Sequence, residues 1–298
     1  MVVGSFLLLS AGFAQAQTVT QRVSVPRLYH QNYFYLNPAF AGAEGRKEFG
    51  ITTHLNSITS KSSSAPLQVI ASYHGNVGDS TLNGVGVQMV YDQQGPFWLG
   101  KFGLTYAKRF RLGEGSSLAF GTQLSAKYLN VDLYEMPVAE GQRRMVGHDN
   151  DLRPDIDVGV WLNIRNFYAG GTVASLLEPT FHLVENAERT DAREMFLTMG
   201  YKFNVGYMVS VTPSVFVDRA LTSGGKTNVQ GGAQANLKFL TAGVIYRGQF
   251  DDTAPFNVNA GINLKDKVQF LASFDITKGS EIDDTPAPQV EANLRIRF

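Results

Sequence analysis

Val290-Glu291-Ala292-Asn293-Leu294-Arg295-Ile296-Arg297-Phe298, the last stretch of the chain, alternates apolar and polar side chains throughout. Val290, Ala292, Leu294, Ile296 and Phe298 make one set, and Glu291, Asn293, Arg295 and Arg297 the other. Successive Cβ atoms of a β-strand point to opposite faces, so this period of two gives one apolar and one charged face. No helix with one apolar face has that pattern. The edge of a soluble sheet suits such a strand, and so does the closing strand of a membrane barrel. In the barrel, the apolar row meets lipid and the charged row faces the lumen.

Working back from this strand, short alternating runs closed by turn signals begin at Glu48. Outward rows open with Phe49, Ile51, Thr53 and Leu55, then Val85, Val87, Met89 and Tyr91, and continue through Leu197, Met199 and Tyr201 to Val258, Ala260 and Ile262. The rows between them are polar or tiny, as in Asn228, Gln230, Gly232 and Gln234. A run around Phe167 to Leu176 is ambiguous. The count is fourteen strands.

Connectors decide between sandwich and barrel. Gly113-Glu114-Gly115, Ile164-Arg165-Asn166, Asn204-Val205-Gly206, Phe239-Leu240 and Asp266 mark short turns. Asn56 to Ala65, Leu129 to Pro154, Leu177 to Arg193, Asp218 to Lys226 and Lys278 to Gln289 are long. Alternating tight turns and long loops is the habit of outer-membrane barrels, and an even strand count places both termini on the periplasmic side. Aromatics fall into two girdles on this topology. Phe49, Tyr73, Phe110, Phe203, Tyr207 and Phe298 lie at the periplasmic rim, and Tyr91, Trp98, Tyr128, Phe250 and Phe256 at the outer rim. Pro213 conflicts with a closed ladder, since proline donates no hydrogen bond; a bulge or an early end to pairing is expected there. The expected fold is therefore all-β, a closed antiparallel transmembrane barrel of about fourteen strands over residues 47–298.

Composition agrees. With 44% apolar residues and a mean hydropathy of −0.10, the chain of 298 residues is no bundle of membrane helices. Its one sustained apolar run, Val2 to Ala14, is shorter than the roughly 20 residues a spanning helix needs. Ala14-Gln15-Ala16 follows as a small-x-small cleavage pattern, so residues 1–16 read as a secretory signal peptide, although Met1 to Gly4 carries no basic residue. There is no cysteine, which excludes disulfides, thiolate metal sites and cysteine nucleophiles. Lys plus Arg equals Asp plus Glu at 26 each, so no net field recruits nucleic acid.

Catalytic patterns are missing. The five histidines, His30, His54, His74, His148 and His182, show no metal spacing, and no nucleophile elbow or phosphate loop occurs. Gly84-Val85-Gly86 lies inside a strand. The acids from His148 to Asp157 alternate like the start of a calcium loop, but without its turn glycine or its twelfth-position Glu. They read better as loop acids, some paired with Arg143, Arg144 or Arg153. Neither cofactor nor metal is expected, and the lumen rows hold Glu291, Arg295, Arg297, Asp275, Lys202, Lys238, Lys265 and Arg247.

Between signal and barrel, residues 17–46 follow neither period. Tyr33, Phe34, Tyr35, Leu36 and Phe40 surround a bend made by Pro38, which restricts φ and biases Asn37 toward an extended form, and by Gly42, which permits φ > 0. So many apolar rings left in water forfeit a large gain, so the segment should pack, as a plug in the periplasmic mouth; a simple lead-in to the first strand is the other possibility. Asn37-Pro38-Ala39-Phe40-Ala41-Gly42 resembles the Asn-Pro-Ala-(aromatic)-Ala-Gly motif of the PorP/SprF family of type IX secretion and gliding-motility membrane proteins. Ala65-Pro66-Leu67-Gln68, Gly84-Val85-Gly86-Val87 and Gly95-Pro96 are similar to that family too. The resemblance implies a non-enzymatic outer-membrane barrel of a Gram-negative bacterium. Its implied partners are periplasmic type IX components and a secreted surface protein with a C-terminal sorting domain, with outer-membrane lipid around it. A FadL-like passive channel for small or hydrophobic solutes is the alternative, and a membrane enzyme a remote third.

Overall fold

The computed structural model describes residues 19–21, 24–55, 67–78, 82–134, 146–183, 188–206, 208–247, 256–265, 267–276 and 289–298. The signal-peptide stretch, the Asn56 to Ala65 loop, Arg143, Arg144, Tyr207, Phe250 and Asp266 lie outside the described residues.

Fourteen strands form the wall. They are β1 (Glu48–Leu55), β2 (Leu67–Asn76), β3 (Asn83–Gln94), β4 (Phe97–Gly113), β5 (Ser116–Asp132), β6 (His148–Ile164) and β7 (Phe167–Ala174). Then come β8 (Glu194–Tyr201, continued by Phe203–Val205), β9 (Val209–Ala220), β10 (Thr227–Leu237), β11 (Leu240–Tyr246), β12 (Phe256–Leu264), β13 (Val268–Ile276) and β14 (Val290–Arg297). Every strand pairs antiparallel with its sequence neighbours, and β14 pairs with β1 from Val290↔Leu55 to Arg297↔Glu48. This closure removes the free edges that an open sheet exposes.

The two-residue period assigns the faces. Leu104, Phe120, Met199, Val244 and Phe274 stand exposed on the outer surface, where an aqueous fold could not tolerate them in such number. Gln88, Thr105, Gln123, Asn257, Ser273 and Asn293 are buried on the inner one. Tyr91, Trp98 and Tyr128 stack at 5.6 and 5.2 Å near one rim, while Phe49 is registered opposite Tyr73 near the other.

Three features depart from the expected pattern. First, β4, β5 and β6 each run 17 residues, about 58 Å at 3.4 Å per residue and twice the apolar band. Leu129↔Asp151 to Asp132↔His148 therefore belong to a ladder, not to the loop expected over Leu129 to Pro154. Beyond the lipid band the outer face no longer has to be apolar, so the alternation fades while pairing continues. Pro154 is accommodated because β7 reaches β6 only from Val158 onward. Second, Pro213 breaks pairing, as one of the two expectations had it, but without a bulge and only on one side. It stays in register with Ala233, while the β8–β9 ladder lapses between Gly200↔Ser214 and Phe203↔Val211 and resumes without a shift. Third, β3 and β4 are joined by only Gly95-Pro96 at the end where the other connectors are long.

The β7–β8 connector folds into a small sheet. Thr180–His182 pairs with Glu188–Asp191, to which Val19–Gln21 adds in parallel. The first described residues thus lie at the long-connector end, whereas the Phe298 N–H donates to the Lys47 carbonyl at the short-turn end. The two termini do not share one end for these residues, as the even strand count had implied, because the chain passes through the barrel before its first wall strand.

Candidate functional site

Ser24 to Lys47 occupies the lumen from near the long connectors down to the short-turn end. Its three brief helical turns are Tyr29–Gln31, Tyr33–Leu36 and Pro38–Phe40. Asn37 is extended (φ −149°, ψ 112°), as a residue before proline must be, and its Oδ1 accepts the Ala39 N–H at 2.9 Å. Pro38 enters the turn at its first position, where no N–H is needed. Gly42 leaves the turn at φ +67°, and a side chain there would meet Asn76.

Upper contacts are largely polar, with the buried Tyr29 ring also stacked on Phe216 at 5.2 Å. The Glu291 carboxylate accepts the main-chain N–H groups of Arg27 at 2.7 Å and Leu28 at 2.9 Å, while Arg27 Nε donates to Asp275 at 3.1 Å. Thr52 donates to Asn32 Oδ1 at 2.7 Å, and Tyr29 reaches Ser214 Oγ at 2.9 Å. Lower down, Arg295 donates to Gln31 at 2.8 Å and grips Glu48 at 2.7 and 2.9 Å, with Arg297 on the other Glu48 oxygen at 3.0 Å. Burial, and then the Arg295 charge, push the His30 imidazole down to about 3, so it is neutral at pH 7. In these contacts the lumen charges serve the segment.

Contacts of the Asn37–Gly42 motif are steric. A Cβ added at Gly84 would strike the Ala41 carbonyl, at Gly86 the Phe34 ring, at Gly121 the main chain of Pro38 and Ala39, and at Gly159 Asn37 and Pro38. Glycines on the inner rows of β3, β5 and β6 thus make a smooth bed for this one turn. Asn37 Nδ2 donates to the carbonyls of Val160 at 2.9 Å and Gly171 at 3.2 Å, so both ends of its amide are used. Phe40, 5% exposed, lies edge-on to Trp161 at 4.8 Å and near His74 at 5.7 Å. Phe34 covers His74 at 4.5 Å, and Tyr33 sits between Phe40, Trp161 and Tyr168, its hydroxyl 2.6 Å from that of Tyr168. Arg109 closes the exit by donating to the carbonyls of Gly42 at 2.7 Å and Ala41 at 3.1 Å.

Tyr33, Phe34, Asn37, Pro38, Phe40 and Gly42 are therefore brought together, and by a single bed. Tyr35 points away, toward the upper lumen, its hydroxyl donating to the Ser24 carbonyl at 3.2 Å. Trp161, Tyr168, Arg109, His74 and the bed glycines were not foreseen as part of the site. A signal for them exists in the sequence: large rings and glycines at inward positions of strands whose inner rows are otherwise polar.

Above the motif, Lys101 meets Asp157 at 2.6 Å, and Lys127 meets Asp155 at 2.7 Å and Asp191 at 2.9 Å. The Lys127–Asp191 pair ties the β7–β8 connector to the wall beside a cavity of about 50 Å³. Asp151 pairs with Arg153 at 2.7 Å. Of the acids with calcium-loop spacing, three are thus taken up by cations, and they stand in β6, not in a loop. Below the segment, a polar cavity of about 750 Å³ opens at the short-turn end. Lys202 and Lys238 line it, while Lys265 lies in an exposed turn, so these three are not buried lumen residues like Arg295.

The family model described as type IX secretion system membrane protein PorP/SprF matches residues 18–296. No curated protein matches the chain. The fold is similar to that of the Ralstonia pickettii toluene transporter TbuX, at 11% identity over 90% of this chain and 93% of that one, with a TM-score of 0.52. It is similar as well to a Pseudomonas aeruginosa FadL homologue, at 10% identity over 90% and 94%, with a TM-score of 0.50. At these identities the likeness establishes the barrel fold alone.

Proposed function

This chain belongs to the PorP/SprF family of type IX secretion membrane proteins, and from that premise we propose that it is a non-enzymatic barrel that captures a secreted surface protein. Fold and family point to the outer membrane. In this reading residues 1–16 export the chain, and the long connectors face outward. The captured protein, bearing a C-terminal sorting domain, is held at that end, while the short-turn end meets periplasmic components of the system.

The observation that carries the reading is the family match over residues 18–296. The filled lumen supports capture over conduction. Solute channels need a continuous path, but here Phe40 and Phe34 pack against the wall at Trp161 and His74, and the cavity above them holds only about 50 Å³. An aromatic solute needs a cavity of about 150 Å³.

Pull-down from native membranes, followed by identification of the recovered proteins, tests capture. A secreted protein with a C-terminal sorting domain is the expected prey. Recovery of none, together with toluene uptake by liposomes containing the barrel, would replace capture with the FadL-like channel. Orientation is tested on intact cells with an impermeant thiol reagent: Ser223→Cys, in the β9–β10 connector, should label and Glu114→Cys, in the β4–β5 turn, should not.

A further inference from the structure

The cations and carboxylates that cancel over the whole chain do not cancel at the short-turn mouth. Arg46, Arg165, Lys202, Lys238, Arg295 and Arg297 line its 750 Å³ cavity, and Glu44 is the one carboxylate among the described residues that does so. Arg295 and Arg297 are occupied by Glu48 and, more distantly, Glu44. The other four have no carboxylate partner among the described residues. Four uncompensated cations around a walled opening focus a positive potential into it.

Their placement is built into the turns. Arg165 sits at φ 54° and Lys238 at φ 34°, left-handed positions where glycine or asparagine costs less. Both open two-residue hairpin turns that need φ > 0, so the turns themselves fix the two cations at the rim of the mouth.

Amides make up much of the remaining lining. Asn163, Asn166, Asn204 and Asn236 line the same space; the oxygens of Asn163 and Asn236 already accept from Trp161 and Thr241, which leaves their N–H groups to donate. Gln234 and Gln269 lie buried beneath them at the inner end of the same cavity. Amide side chains suit the alternating N–H and C=O groups of an extended main chain, a pattern that a phosphate does not offer. Cations for carboxylates and amides for main chain together specify an acidic peptide, and about 750 Å³ is within the roughly 300–1,000 Å³ of sites that enclose a ligand of a few residues' size.

We propose that the short-turn mouth is a docking groove for an extended acidic segment, rich in Asp or Glu, of a partner protein. The groove follows from the cavity alone; that its partner is a periplasmic component rests on the capture reading and its orientation.

The test uses the purified barrel in detergent and a fluorescein-labelled peptide of alternating Asp and Ser, read by anisotropy. Saturable binding is expected, weakening as NaCl rises from about 50 to about 300 mM. The Lys202→Glu/Lys238→Glu double variant should lose about tenfold or more in affinity, because like charges then face the peptide. Lys226→Glu, at the opposite end, should bind as the parent does. Heat-modified gel mobility confirms that each variant is folded. No saturable binding, undiminished binding to the double variant, equal binding of a Lys-Ser peptide, or full displacement by equimolar inorganic phosphate overturns the groove. The two proposals fail separately: a barrel that captures its surface protein but binds no acidic peptide refutes only the groove, and one that binds the peptide but recovers no secreted protein refutes only capture.

Discussion

Ser24 to Asn32 meets the wall through many hydrogen bonds to side chains of β1, β9, β13 and β14 and one stacked ring, Tyr29 on Phe216, whereas Tyr33 to Gly42 adds to the bonds of Asn37 and Arg109 a layer of ring faces and bare glycine on β2 to β7. Both stretches share one lumen, but they are held by forces of different reach. A buried hydrogen bond to Glu291 can be weakened at modest cost so long as a neutral acceptor of the same shape keeps the two N–H groups satisfied. Nothing replaces a ring withdrawn from Trp161, or makes room for a side chain added to the bed. The upper half is thus a clasp that can be undone, and the motif is a seat that fixes where the segment lies.

The largest effect should come from filling the seat. Gly121→Leu places a branched side chain where the main chain of Pro38 and Ala39 now runs, so the motif must leave as a unit. The barrel should still show heat-modified mobility. Limited proteolysis should cut the segment, and conductance in planar bilayers should rise from closed to open. A segment that stays protected in Gly121→Leu would show that the glycines do not position it. Phe40→Ala comes next. It removes a 5% exposed ring from Trp161, His74 and Tyr33, at a cost of about 3–5 kcal/mol. Since the ring belongs to the lumen and not to the wall ladder, the barrel should assemble while display of the captured surface protein falls. Normal display would reduce the motif to a lead-in to β1.

Much of the wall could be read beforehand because lipid on one side and water or polar packing on the other enforce a strict two-residue alternation. Leu197, Leu294 and Gln234 stand on the faces that alternation assigns them. Alternation loses its meaning where that enforcement stops. Along Asp149 to Asp155 the strand has left the lipid: the acids hold one row, but the other carries Asn150 and Pro154 beside Leu152, so the stretch looks like a loop although each acid is paired to β5. The bed was hidden for another reason. An inward glycine such as Gly121 can mean a bend, a weak strand or a close neighbour, and only the position of Pro38 against it decides. Likewise the rings of residues 33–40 showed that the segment must pack, but not that it runs the length of the lumen. That depends on Glu291 and Asp275 meeting Arg27 near the far end, a match between residues more than 240 positions apart.

Undoing the clasp should do less than either change in the seat. Glu291→Gln keeps the shape of the side chain but withdraws the charge from two N–H groups, at a cost of about 1–3 kcal/mol. Hydrogen exchange at Leu28 should accelerate while exchange at Ala39, whose N–H is bonded within the motif to Asn37, stays near that of the parent. Equal acceleration at both positions would mean that the two halves open together and that clasp and seat are one unit.

The smallest expected effect is the most discriminating, because it removes a short hydrogen bond from the seat and leaves the packing alone. The Tyr33 hydroxyl lies 2.6 Å from that of Tyr168, the shortest polar contact the motif region makes with the wall. If the seat were polar, Tyr33→Phe would release it. Yet Tyr168 lines the open mouth, where water can take the vacated place, so the net loss should be about 0.5–1 kcal/mol. The ring itself keeps its neighbours, with centroids 5.1 Å from Trp161, 5.5 Å from Tyr168 and 5.6 Å from Phe40. Tyr33→Ala, which loses ring and hydroxyl together, should fall with Phe40→Ala at about 3–5 kcal/mol. A double-mutant cycle of Tyr33→Phe with Tyr168→Phe, read by the denaturant dependence of segment proteolysis, isolates the hydroxyl pair. Coupling of about 1 kcal/mol or less leaves packing as the holding force. Release by Tyr33→Phe as complete as by Phe40→Ala would mean that the seat, too, is a clasp, and the distinction between the two halves of the lumen would be lost.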